Sequence, residues 1–285
     1  MNVIDTSGAL LSAFEAGRFD PEKWERYIDR AVPGAKELCL EDMRACIRAG
    51  YSWEKDFLPV LNAVARDGEK RDRAIRSFHR VADGLEAKLL ARFHRSVETD
   101  LILYLGLCSG AGWVTPVRGR TTVLLGVEKI MELGWVGEDD MTGLICHELG
   151  HVYQDQYGVL RRELDALPDQ LLWQLFTEGI ATVFEQELAG DPGYFHQDKN
   201  GWKDWCERNK ALIRQSFADD LPSMTHENQR YFGDWVRFMG YGDTGYYLGA
   251  LFVRFLLRFD DFDSLVRCGV EDVKAGFGRF LRAEL

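Results

Sequence analysis

The chain has 285 residues, 46% hydrophobic and 28% charged, a length and balance that support a sizeable core and argue against a disordered polymer. Acidic residues outnumber basic ones, 46 to 35, for a formal charge of −11. A nucleic-acid binder presents the reverse balance or a basic stripe, so no nucleic-acid partner is expected.

Met1 to Gly17 lacks a basic n-region and a long apolar core, which reads as no secretory signal and predicts a cytoplasmic protein. Leu101–Leu107, among the most apolar stretches, is far shorter than a bilayer span, so no membrane partner is expected. The six cysteines form no CxxC pair, and reduced, mostly buried thiols are expected.

From about Ile4 to His94 the pattern reads as helical. Asp20 followed by Pro21 is a helix start, with the carboxylate as cap and proline in the first turn. Pro33-Gly34 ends that helix. Glu69 to Arg95 places Ile75, Phe78, Val81 and Leu85 on one face of a charged amphipathic helix.

The character changes at Asp100. Leu101–Leu107 reads as a buried strand, Trp113–Val117 as a second and Thr121–Gly126 as a third. Pro116 lacks an N–H, which favours a sheet edge for the second. A helix follows, from the acidic start at Asp139 and Asp140 to about Tyr157, with Gly158 as terminator. Pro168-Asp169 opens another, which Gly190–Gly193 ends. Tyr194 to Tyr241 reads as loop-rich and aromatic, and a last helix begins near Thr244 and includes Tyr246 to Phe259. The predicted class is α+β and mainly helical, with a small mixed sheet. Residues 1–95 read as an N-terminal helical layer and 96–285 as the catalytic region, together one compact unit.

The segment His147-Glu148-Leu149-Gly150-His151 carries the chemistry. Residues four apart on a helix share a face with Cβ atoms roughly 6 Å apart, so both imidazoles can reach one Zn²⁺. Glu148 is rotated about 100° from His147 and can reach a water on the metal without occupying the metal. It can then take a proton as general base and return it to the leaving group. The ordinary alternative is two surface histidines on an amphipathic helix. The apolar flanks Leu144, Ile145, Leu149 and Val152 speak against it, and Gly150 suggests a close approach by another element.

A catalytic zinc usually has three protein ligands. The metzincin pattern would need Gly at 154 and His at 157, where this chain has Gln154 and Tyr157. The best third ligand is Glu178, a carboxylate amid Phe176, Gly179, Ile180 and Ala181 that needs a partner if buried. Glu185 and Glu187 lie nearer the helix end and suit the role less well.

His147, Glu148 and His151 with a downstream Glu178-Gly179-x-Ala181 resemble the gluzincin branch of zinc metallopeptidases, including the uncharacterised bacterial Zn-dependent protease families of that clan. The likeness covers roughly Leu101 to Phe259. It implies a zincin-like fold with an edge strand beside the HExxH helix, one Zn²⁺ per chain, and a peptide or small protein as substrate. Two positions depart from the pattern. Glu178 lies 27 residues beyond His151, and the Asp expected four residues after it is Thr182, which leaves Asp155 as a substitute partner for a ligand histidine. The edge strand would be Trp113–Val117 or Thr121–Gly126. Gly245–Gly249 resembles a tyrosine-bearing helix start in similar zincins, so Tyr246 or Tyr247 is a candidate oxyanion donor, with aromatic packing as the alternative. His226 is a second candidate donor. A zinc peptidase, a zinc hydrolase of a small amide or ester, and a non-catalytic zincin that binds a partner all remain open.

Overall fold

In the computed structural model, which describes residues 1–284, the contacts separate into two units. Met1–Glu148 is the first, and the second begins at Leu149. The class is α+β, mainly helical, with one four-stranded mixed sheet and a two-stranded ribbon. No helix among the described residues is long and apolar enough to cross a membrane.

The first unit opens with strand β1 (Asn2–Asp5), not with a helix. Four residues are too few to show a period, and the β-branched Val3 and Ile4 pair in parallel with a strand a hundred residues away. A ribbon of β2 (Phe14–Glu15) and β3 (Arg18–Phe19) follows. Helix α1 (Pro21–Ala31) starts as expected: Asp20 accepts the Lys23 N–H at 2.9 Å and proline occupies the first turn. Then come α2 (Lys36–Arg48), α3 (Leu58–Arg66), α4 (Gly68–Ala82) and α5 (Leu85–Phe93). The long helix read over Glu69 to Arg95 is therefore two, parted where Gly84 adopts a φ of +77°.

The sheet is completed by β4 (Asp100–Tyr104), β5 (Gly112–Val117) and β6 (Arg120–Gly126), in the order β1-β4-β6-β5. The two central strands run parallel and are buried on both faces, which explains their continuous apolar runs. Strand β4 ends at Tyr104, short of the expected Leu107, because α1 claims the next backbone groups. The Trp24 indole donates to the Leu105 carbonyl at 3.0 Å, and the Leu105 N–H donates to the Tyr27 hydroxyl at 2.9 Å. Strand β5 is antiparallel to β6 and pairs with no other strand among the described residues, so Pro116 sits on an edge strand as its missing donor predicts.

Helix α6 (Val127–Leu133) buries Glu128, whose carboxylate accepts the N–H groups of Gly106 and Cys108, both at 3.1 Å. It thereby pins the loop that leads into β5. Burial pushes this carboxyl up to about 7, against the pull of those N–H donors. A carboxyl raised in the native state favours folding below its unfolded pKa near 4.5, and that advantage is lost as pH rises to about 7. A Glu128→Gln variant should therefore gain on wild type by up to about 3 kcal/mol between pH 5 and pH 8. Denaturant unfolding of both proteins at the two pH values measures this. A difference that stays constant refutes it.

Helix α7 (Glu138–Tyr157) begins with Glu138, Asp139 and Asp140 in its first turn and contains the boundary between the units. It ends at Tyr157, as expected, but Gly158 serves packing and not a left-handed turn: a Cβ there would collide with the Val266 carbonyl. The second unit continues with α8 (Leu167–Ala189), closed by Gly190 at φ +72°. Next are α9 (Trp202–Arg208) and α10 (Lys210–Asp220), in a region that read as loop. Helix α11 (Thr244–Leu256) is followed by α12 (Phe262–Leu265) and α13 (Val270–Arg282), so it is not the last. Helices α8 and α11 cross backbone to backbone at Gly179 and Gly249, where either Cβ would enter the other helix.

Candidate metal centre

Helix α7 is buried almost all round from Met141 to Gln154, so its histidines do not sit on a solvated face. His147 is 4% exposed and Glu148 6%. A carboxylate and an imidazole this buried are costly unless their charges are matched. Gly150 explains part of the packing: its Cβ position lies 2.8 Å from the Ala181 Cα and 3.1 Å from the Phe184 Cβ. The close approach expected from Gly150 is thus made by α8, and it sets Glu178 beside His151. The His151 Nε2 and a Glu178 carboxylate oxygen are 3.3 Å apart.

Ligand atoms of His147, His151 and Glu178 all lie within 4.8 Å of one another, a group that can hold a metal ion. Two imidazoles and one carboxylate are a donor set that zinc takes, and donors about 2.05 Å from a tetrahedral ion stand about 3.3 Å apart. The separation of His151 and Glu178 matches that edge. An ion pair between His151 and Glu178 accounts for the same distance.

Glu148 has a second neighbour in the first unit. A Cβ on Gly112, the first residue of the edge strand β5, would lie 2.6 Å from Glu148 Oε1. The backbone of the edge strand therefore passes against the carboxylate flanked by the two histidines. Nothing in the sequence around Gly112 marks it, since its closeness to Glu148 arises only when the sheet forms.

The other sequence candidates fall as follows. Thr182, at the position where an Asp was expected, donates its hydroxyl to the Glu178 carbonyl at 2.8 Å. Asp155 accepts from Arg161 at 3.1 Å. Glu187 pairs with Arg254 at 2.7 Å. The Tyr247 hydroxyl is bonded to Glu207, and its ring is buried against Phe195 and Trp202; burial and the Glu207 charge push its pKa up. Tyr246 is half-buried with its ring edge-on to Phe232. His226 meets Gln170 at 3.1 Å.

A second group that can hold a metal ion shares His147: its other members are Glu185 and His196, both buried. Glu185 reads as the less suited residue because it lies nearer the helix end, and no motif in the sequence marks His196. The available signal was the spacing from Glu178 to Glu185, seven residues or two helical turns, which keeps both on one face.

Compared with known proteins, the chain matches no family model, no curated protein and no solved structure.

Proposed function

We propose that the protein is a zinc-dependent hydrolase of the gluzincin kind, a metallopeptidase with a zincin-like catalytic fold. The observation that carries the reading is a single helical turn in which His147 and His151 flank a buried Glu148, with Glu178 at 3.3 Å from His151. His147, His151 and Glu178 would hold one Zn²⁺, which supplies Lewis acidity to polarise a carbonyl and acidify water.

The chain's own residues do the rest. Glu148 is adjacent to a ligand but outside the ligand set, so its carboxylate accepts the proton of the attacking water and returns it to the leaving amine. At 6% exposure it is largely shielded from bulk water, which favours retention of that proton until the C–N bond breaks. The edge strand β5 has main-chain groups along its outer side, and these suit an extended peptide added as a further strand. That the strand begins at Gly112, against Glu148, supports a peptide substrate laid across the base. Tyr246 is the better of the two tyrosine candidates for oxyanion stabilisation, because the Tyr247 hydroxyl is already committed to Glu207.

Metal analysis followed by peptide-library profiling tests the reading. Purified protein should hold about one zinc per chain, as a single three-ligand site requires. Glu178→Ala and His151→Ala should each lose most of it. Wild type that binds zinc but cleaves no member of a broad peptide library sinks the peptidase assignment, leaving a small amide or ester, or a non-catalytic groove, as the target.

A further inference from the structure

The loop at residues 105–111, between β4 and β5, lies within the first unit, as do Glu128 and Glu148. Its sequence supplies little stiffness. Gly106 and Gly110 widen the range of backbone conformations open to it, and Cys108 takes a φ of +62°, which a residue with a side chain holds only when its surroundings enforce it. What enforces it is Glu128, 1% exposed in the first turn of α6. Each of its carboxylate oxygens accepts one N–H of the loop, from Gly106 and from Cys108. Such bonds to a carboxylate are roughly twice as strong as those between neutral groups. The enclosure is close: a Cβ on Gly106 would lie 2.7 Å from Glu128 Oε1, and one on Gly126 3.1 Å from the same atom.

Beyond Cys108 the chain passes over Gly126. The Gly126 N–H donates to the Ala111 carbonyl at 3.0 Å, and its Cβ position is 2.7 Å from the Gly110 oxygen. The next residue is Gly112, paired with Leu125 and pressed against Glu148. Trp113 is tied in turn, its indole donating to the Tyr104 hydroxyl at 3.1 Å. The wall beside Glu148 is therefore backbone. The sheet holds it from one side, and Glu128 holds the loop that enters it from the other. Two buried carboxylates thus share one loop, Glu128 near its start and Glu148 at its end.

We propose that Glu128 is a positioning residue for Glu148: it holds the loop between β4 and β5 so that the backbone of Gly112 limits where the carboxylate of the base can stand. The inference rests on the hydrolase reading above and goes beyond it. A general base works only within hydrogen-bond reach of the proton it takes, so a wall that narrows its positions raises the fraction of time it is in place. Glutamine at position 128 keeps the shape but not the function. Its amide offers one acceptor oxygen and turns two N–H donors toward the other loop N–H, so one contact is lost and replaced by a repulsion.

The test is turnover of one cleaved peptide by the full chain at pH 8, where the Glu128 carboxyl, raised to about 7 by burial, is mostly ionised. Glu128→Gln should keep its zinc, unfold cooperatively and lower kcat about 10–100-fold. Amide hydrogen exchange should quicken across residues 106–112, a readout independent of catalysis. Made in a Glu148→Gln background, the same substitution should change the residual rate by less than about twofold, because the group it positions is already gone. An equal loss in both backgrounds, or zinc lost in parallel, would mean that Glu128 only supports the fold, and the proposal fails. If Glu128→Gln cannot be obtained folded, Gly106→Ala decides in its place, since its Cβ would push the loop off an intact carboxylate. Wild-type turnover in the variant overturns this role and leaves the hydrolase standing. Wild type that cleaves no peptide overturns the hydrolase reading and this inference with it.

Discussion

A Glu148→Gln variant is expected to hold zinc as wild type does and to hydrolyse peptides about 10²–10⁴-fold more slowly. Glutamine keeps the shape of the side chain and removes only its ability to take a proton. The proposed ligands His147, His151 and Glu178 are untouched, so the metal content should not fall. The same carboxylate can be disturbed without changing it. A Cβ at Gly112 would lie 2.6 Å from Glu148 Oε1 and 2.7 Å from its Cγ, so Gly112→Ala must displace the base or push the edge strand away from it. That variant should lose turnover while keeping zinc, because the collision is with Glu148 and with no ligand. Metal content by elemental analysis and initial rates on one cleaved peptide decide both. If Glu148→Gln retains wild-type turnover, Glu148 is not the base. If it loses zinc in parallel, Glu148 belongs to the ligand set, and the role assigned to it here is wrong.

The largest effect on stability is expected at the crossing of α8 and α11. A Cβ on Gly179 would run into the Gly249 carbonyl and come within 2.8 Å of Val253 Cγ2, and both helices present backbone at this point. Backbone cannot rotate aside as a side chain can, so the helices must separate. Overpacking of this kind costs about 1–3 kcal/mol or more, and the roughly 1 kcal/mol that alanine gains over glycine in a helix offsets only part of it. Gly179→Ala should therefore lower the melting temperature by several degrees. It should also weaken zinc binding, because Glu178 is the adjacent residue on the helix that must move. Gly278 is the contrast: it is also a helical glycine, but the nearest atom to its Cβ position is Arg282 Nη1 at 3.8 Å. There the propensity term acts alone, and Gly278→Ala should stabilise by up to about 1 kcal/mol. Thermal unfolding of the two variants should thus move in opposite directions. A stabilised Gly179→Ala would mean that the crossing is looser than its geometry indicates.

How far the fold could be read from the sequence depended on whether the signal was local. Asp20-Pro21 opens α1 because the Asp20 carboxylate caps the Lys23 N–H three residues on, and Gly190 closes α8 because the turn needs its own φ of +72°. Pro116 marked an edge strand through a donor it lacks. The spacing of His147, Glu148 and His151 is likewise a property of one helical turn, and helix geometry alone puts two imidazoles on one face. The placing of β1 was not legible, since a four-residue strand is defined by the partner it meets at Asp100–Tyr104. Nor was the division of the helical signal at Gly84, or the helices hidden in the aromatic region after Tyr194.

The sequence by itself placed His147 and His151 on one helical face with Glu148 between them, and Glu178 in an apolar stretch of the next helix, because each follows from residue type and helical period. Only the tertiary structure decided that Glu178 stands 3.3 Å from His151, that Gly112 brings an edge strand against Glu148, and that Glu185 with His196 forms a group with His147. These are distances between segments far apart in the chain. The first depends on how closely the two helix backbones approach at Gly150, and a glycine in a sequence does not say which backbone it admits.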